Sequence, residues 1–248
     1  MDRPALELLT AAHPDDPVLD VALTHGLLRA VAAGERPDTL RIFRPGPTVA
    51  FGKLDRLLPG IGAAWEVARE LGYTPLVRLA GGQAAVYDRR SLVVEHVTAE
   101  ADATAGLTAR FEDQAARLQR ALATLGLDVR VGELPGEYCP GGHSLNVGGA
   151  TKVAGIAQRT IRGAALTTAV LVVAGGEDLR AAVAAIYDAL GRDADPEVAG
   201  ALDDARVGIG VEDVASRVAT AYAPIAEGRL DPRALAAAEA LRAVHSER

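Results

Sequence analysis

One cysteine, Cys139, stands in the chain, so no internal disulfide can form and a reducing compartment is expected. Aromatic residues make up only 4%, which leaves Val, Leu, Ile and Ala to fill the interior. Lysine occurs twice, at Lys53 and Lys152, and arginine supplies the other positive charges. The formal net charge is −7. Phosphate backbones need a concentrated basic face, so this balance argues against nucleic acid as a partner. No apolar run approaches the roughly 18–20 residues of a membrane span. The longest, from Ala164 to Gly175, is interrupted by Thr167 and Thr168. Met1-Asp2-Arg3-Pro4 leads into no apolar export segment. A cytoplasmic protein without a membrane partner is expected. Five scattered histidines and one cysteine make no metal-ligand spacing.

What is present suffices for a sizeable core: 248 residues, 49% of them apolar. Asp15-Asp16-Pro17, followed by Leu19, Leu23, Leu27 and Val31, predicts a helix stopped by Gly34. Leu40–Phe43 and Thr48–Phe51 read as a strand and its returning partner around Arg44-Pro45-Gly46-Pro47. Helices are predicted over 63–71, 105–125 and 177–190, each followed by glycine. Short strands are predicted at 76–79, at 85–87 and 92–94 as a pair joined at Asp88-Arg89-Arg90, and near Val129, Leu145 and Val153, with a longer one over 164–173. After Pro196 only helices are expected, at 211–222 and 232–242. Strands and helices mix without a β-α-β rhythm. The prediction is therefore an α+β fold with a mixed, largely antiparallel sheet flanked by helices. Residues 1–191 would form the main domain and 192–248 a small helical extension.

Three segments carry candidate chemistry. Arg78-Leu79-Ala80-Gly81-Gly82-Gln83 runs from a strand into paired glycines. Such a bend lets backbone N–H groups approach a ligand, with Arg78 as a charged fork, or is simply a tight turn. Glu137-Tyr138-Cys139-Pro140-Gly141-Gly142-His143-Ser144 places the cysteine in a Gly/Pro-rich loop. It is either a nucleophile activated by a nearby cation or a partly buried structural thiol. His143 is either its base or a surface residue. Thr151-Lys152-Val153-Ala154-Gly155-Ile156-Ala157-Gln158 sets a lysine among small and apolar residues. A buried ammonium needs a partner, and an acyl carbonyl oxygen or a phosphate would be one; a surface hairpin lysine is the other reading.

These segments resemble the biotin/lipoate protein ligase catalytic domain, in its lipoate–protein ligase and octanoyltransferase branch. Lys152 to Gln158 matches the family's lysine-glycine block position by position, and Arg44 to Gly52 is similar to its early hairpin. The loop Val77 to Asp88 matches in part: Val77, Gln83 and Tyr87 stand where the family has arginine, glycine and histidine. The resemblance covers about residues 15–190. It implies a fold like that of biotin synthetase and class II aminoacyl-tRNA synthetases. It also implies transfer of an octanoyl or lipoyl group to a lysine of a lipoyl domain or glycine-cleavage H-type protein, with acyl carrier protein as a further partner.

Under the resemblance Cys139 and Lys152 are catalytic: the thiol would carry the acyl group and Lys152 would steady the oxyanion. Arg78, Gly81, Gly82, Gln83, Tyr87, Asp88, Ser144, Gly155 and Ala157 would bind substrate. Segments near Val49, Val93 and Leu145 would line the acyl tunnel. A cysteine placed thirteen residues before Lys152 points to the transferase subclass, which needs no cofactor. The rival is a ligase using ATP and Mg with lipoate or octanoate, in which Cys139 is incidental. A third reading is a binding module without catalysis, prompted by the substitutions at 77, 83 and 87.

Overall fold

Helix α1 (Pro17–Ala32) starts where the sequence places it: the Asp16 carboxylate accepts from Leu19 N at 3.2 Å, and Pro17 occupies a position needing no N–H. This computed structural model describes residues 6–102 and 104–246; Met1 to Pro4, read above for an export segment, lies outside the described residues. The remaining elements, in chain order, begin with β1 (Leu6–Leu9), β2 (Thr39–Phe43), β3 (Thr48–Phe51), α2 (Ile61–Glu70), β4 (Thr74–Val77), β5 (Ala85–Tyr87) and β6 (Ser91–Glu100). Then come α3 (Leu107–Ala123), β7 (Val129–Val131), β8 (Leu145–Val147), β9 (Thr151–Ile161), β10 (Gly163–Val172) and α4 (Gly176–Leu190). The chain closes with α5 (Leu202–Ala205), α6 (Val211–Ala221), β11 (Ile225–Glu227) and α7 (Pro232–His245).

Eight strands form one sheet in the order β11-β1-β2-β6-β10-β9-β8-β7. The pairings from β2 to β7 are antiparallel, and β1 runs parallel to both β2 and β11. The α+β prediction with a largely antiparallel sheet is therefore met. A smaller sheet has the order β4-β3-β5. Side chains alternate across a strand, so register decides which residues share a face. On one face Leu40, Ile42, Leu92, Val94, Ala169 and Leu171 pack against Leu118 and Leu122 of α3 and Val214 and Val218 of α6. On the other, Val97 and Leu166 meet Leu28 and Val31 of α1. Fully burying each such side chain contributes roughly 1.5–3 kcal/mol.

Two strand pairs expected as hairpins are split between the sheets. Thr48–Phe51 pairs with β4 and β5, not with β2. Pro45 and Pro47 withhold the N–H groups a tight hairpin ladder uses, and the chain leaves the sheet there. β5 and β6 likewise part company at Asp88. The tail is not purely helical: β11 extends the large sheet beside β1. A three-residue strand is too short to show alternation in the sequence. Its last helix, α7, packs Ala238 and Leu241 against Leu23 and Leu27 of α1.

Candidate active site

The loop from Leu134 to Ser144 is shaped by one buried carboxylate. Glu137 is 4% exposed, and its Oε1 accepts from Lys152 Nζ at 2.9 Å, Ser144 Oγ at 2.6 Å and Gly141 N at 3.1 Å. Its Oε2 accepts from Leu134 N at 2.9 Å. A buried charge persists only when its lone pairs are filled in this way. Lys152, on β9, is the complement. Beyond Glu137 its ammonium donates to Tyr138 O at 2.8 Å and Cys139 O at 2.9 Å. An ammonium has three hydrogens and these partners use all of them. In this arrangement the cation is 1% exposed, and its three hydrogens are engaged in holding the loop.

Cys139 sits at φ +43°, in the left-handed region that non-glycine residues seldom occupy, at a cost of about 1–3 kcal/mol. The surroundings impose it. Its carbonyl is held by Lys152, and its N–H donates to Tyr187 Oη at 2.8 Å. Tyr187, on α4, donates in turn to Ala84 O at 2.8 Å, tying the cysteine loop to the glycine loop. Burial pushes the Tyr187 phenol well above its ordinary pKa, so it stays protonated and able to donate. Arg78 Nη2 donates to Cys139 Sγ at 3.4 Å and also reaches Gly81 O. Gly82, at φ +102°, makes that approach possible: a Cβ there would lie 1.8 Å from Arg78 Nη2 and 3.0 Å from Sγ.

A cavity of about 500 Å³ opens over this thiol. Cys139, Lys152, Arg78, Gly81, Gly82, Ser144, Gly155 and Ala157 all line it. Leu107, Thr108 and Phe111 of α3 form its opposite wall, and His143 lines it with its ring stacked on Phe111, centroids 4.9 Å apart. Two expected residues lie elsewhere. Gln83 lines a separate depression with Asp188 and Arg192. Asp88 is held at the turn before β6 by Arg90, at 2.5 Å, and faces a third depression beside Tyr73.

A narrower inner cavity of about 70 Å³ shares Arg78, Ala85, Thr168 and Val170 with the first and runs between the two sheets beneath α1. Tyr87 and Val93 line it. Val49 and Leu145 do not: Thr48 and Ala50 face the inner cavity, while Val49 packs with Phe51 and Trp65. Leu145 belongs to the core under α3. Sequence reasoning missed Glu137 and Tyr187. Glu137 lay in the quoted loop with no role assigned, and Tyr187 reads as one more residue of the apolar stripe of α4. Among the described residues no cluster of His, Cys, Asp or Glu could hold a metal, and no helix is long and apolar enough to cross a membrane.

Comparison with known proteins agrees with this arrangement. A family model described as the lipoyl protein ligase A/B catalytic domain matches residues 16–223. An octanoyl-GcvH:protein N-octanoyltransferase of Geobacillus kaustophilus is 35% identical over 171 residues, 69% of this chain and 60% of that protein. A protein of the same name from Bacillus velezensis is 30% identical over 142 residues, 57% of this chain and 49% of the relative. The chain thus spans about half to three-fifths of the length of these relatives. The crystal structure of a lipoate-protein ligase A bound with ATP superimposes with a TM-score of 0.75 at 20% identity, over 96% of this chain and 94% of that one. That match shows a shared fold, and the family model extends past Pro196 into the tail that packs on the same body. With the glycine bend, the lysine strand and the loop between them gathered around one cavity, the chain belongs to the lipoyl protein ligase A/B catalytic domain family.

Proposed function

We propose that this protein transfers an octanoyl or lipoyl group through a Cys139 acyl-enzyme to a lysine of a lipoyl domain or H-type carrier. The observation that carries the reading is the thiol itself: a strained Cys139, fixed by Lys152 and Tyr187, with a guanidinium 3.4 Å from its sulfur at the mouth of a cavity. The names of the relatives support it, since they have an octanoyl group moving from GcvH to a protein. The Arg78 guanidinium donates to the sulfur at the cavity mouth. Sγ attacks the donor's acyl carbonyl; the tetrahedral intermediate collapses and the donor's leaving group departs with the proton. The acceptor amine then attacks the acyl-cysteine, and its proton passes to the departing sulfur, which regenerates the Cys139 thiol. The Arg78 guanidinium contacts the reacting atom, so it takes the oxyanion role first expected of Lys152. Arg78, Gly81, Gly82, Ser144, Gly155 and Ala157 bound the acyl head, and Tyr87 and Val93 its tail.

No nucleotide is needed on this route, because the acyl group arrives already joined to a carrier and each step exchanges one acyl bond for another. A thiol that must stay reduced makes the cytoplasm the proposed location. Incubation with octanoyl-GcvH followed by intact-mass measurement should show one octanoyl adduct, absent in Cys139→Ser. An adduct retained in Cys139→Ser, or acceptor loading that survives that change, would refute the role of Cys139. Loading that appears only with ATP and free acid would favour the ligase reading.

A further inference from the structure

The sheet under the acyl site is graded. Register aligns Gly155 on β9 with Val170 on β10, Val170 with Val93 on β6, and Val93 with Phe43 on β2. Strands lie about 4.8 Å apart, so this row runs about 14 Å from Gly155, which lines the cavity with Cys139, to Phe43. It begins at a residue with no side chain and ends at an aromatic ring. At the same strand ends, toward the opposite face of the sheet, lies an open groove of about 650 Å³ lined by Ile42, Leu92, Val211 and Ala215. Phe43 and Pro45 line both the inner cavity and this groove, so they form the partition between them.

The partition is braced. The Arg41 guanidinium lies 3.8 Å from the centre of the Phe43 ring. Arg41 is 1% exposed and is itself fixed by Ala11 O at 2.9 Å, Thr24 Oγ1 at 3.2 Å, Glu95 at 3.4 Å and the Asp20 carboxylate. A desolvated cation on an aromatic face resists displacement of the ring. Resting on the acyl-cysteine reading above, we propose that Phe43 is the end-stop that sets acyl chain length, with Arg41 as its positioning residue.

The test loads Cys139 from GcvH acylated with hexanoyl, octanoyl or dodecanoyl groups and follows the adduct by intact mass. Wild type should take octanoyl and discriminate against dodecanoyl. Phe43→Ala should lengthen the inner cavity at its end and raise the dodecanoyl-to-octanoyl rate ratio about tenfold, the worth of about two further buried methylenes. Val93→Phe, which fills the row one strand earlier, should move the preference toward hexanoyl and serves as an independent arm should Phe43→Ala fold poorly. An unchanged chain-length profile in a folded Phe43→Ala, or in Val93→Phe, overturns the end-stop and leaves the acyl-cysteine intact. Failure of wild type to form any adduct overturns both.

Discussion

Replacing Lys152 with Met separates a loop-holding lysine from an oxyanion-binding one. The substitution removes three hydrogen bonds and leaves the Glu137 carboxylate, 4% exposed, without its cation. Breaking a buried ion pair from one side costs about 3–5 kcal/mol. At about 2–4 °C per kcal/mol for a chain of this size, the melting temperature should fall by about 6–20 °C. Adding Glu137→Gln removes the stranded charge while keeping an acceptor for Gly141 N and Ser144, so the double variant should recover most of that loss. The function follows from the geometry. Without Lys152 nothing holds the Tyr138 and Cys139 carbonyls in place, and Cys139 relaxes from its left-handed backbone. Two assays then read the role: alkylation of Cys139 by iodoacetamide, which has no oxyanion, and acyl transfer from octanoyl-GcvH. A positioning role slows both in the stable double variant. Normal alkylation with lost acyl transfer would refute the reasoning and return Lys152 to the oxyanion.

Gly82→Ala should cut Cys139 acylation by at least about tenfold, because its Cβ would fall on the Arg78 guanidinium; acylation at the wild-type rate would show that Arg78 does not serve the sulfur. Stability should also depend on pH through His25, whose Nδ1 lies 3.1 Å from His245 Nε2, while His245 Nδ1 is 2.8 Å from Val77 O. Burial, followed by the neighbouring charges of His245, Arg29, Arg159 and Lys53, holds the His25 pKa down to about 4. Above about pH 6.5 neither folded nor unfolded His25 is charged; as pH falls from 6.5 toward 4 only the unfolded chain takes the proton, and stability is lost. Asp20 and Glu95, raised chiefly by burial, act in the opposite sense, so thermal melts of wild type and His25→Asn should be compared. The wild type should lose more stability over that interval, and parallel curves would refute the assignment.

Much of the fold was legible because its signals are local. Asp16 and Pro17 start α1, Gly191 at φ +66° ends α4, and the apolar stripe of α3 faces the core as its spacing predicts. The strand at Thr48–Phe51 was legible as a strand, but its partner was not. Proline removes the local hairpin and leaves the pairing to a segment 26 residues further on, and nothing in either strand alone specifies that choice. β11 was invisible because three residues carry no period.

The candidate site divides along the same line. Cys139 and Lys152 announced themselves by scarcity, the paired glycines by their freedom to bend, and Arg78 by standing just before them. By itself, the sequence determined which groups could react and where the chain must bend, since those depend on residue chemistry and on neighbours a few positions apart. Only the tertiary structure decided that Lys152 sets its charge against Glu137 and that Arg78, from the bend after β4, reaches the sulfur. It alone placed Gly155, Val170, Val93 and Phe43 in one row. Register belongs to pairs of strands, and a buried charge belongs to whatever surrounds it; both come into being only when distant segments meet.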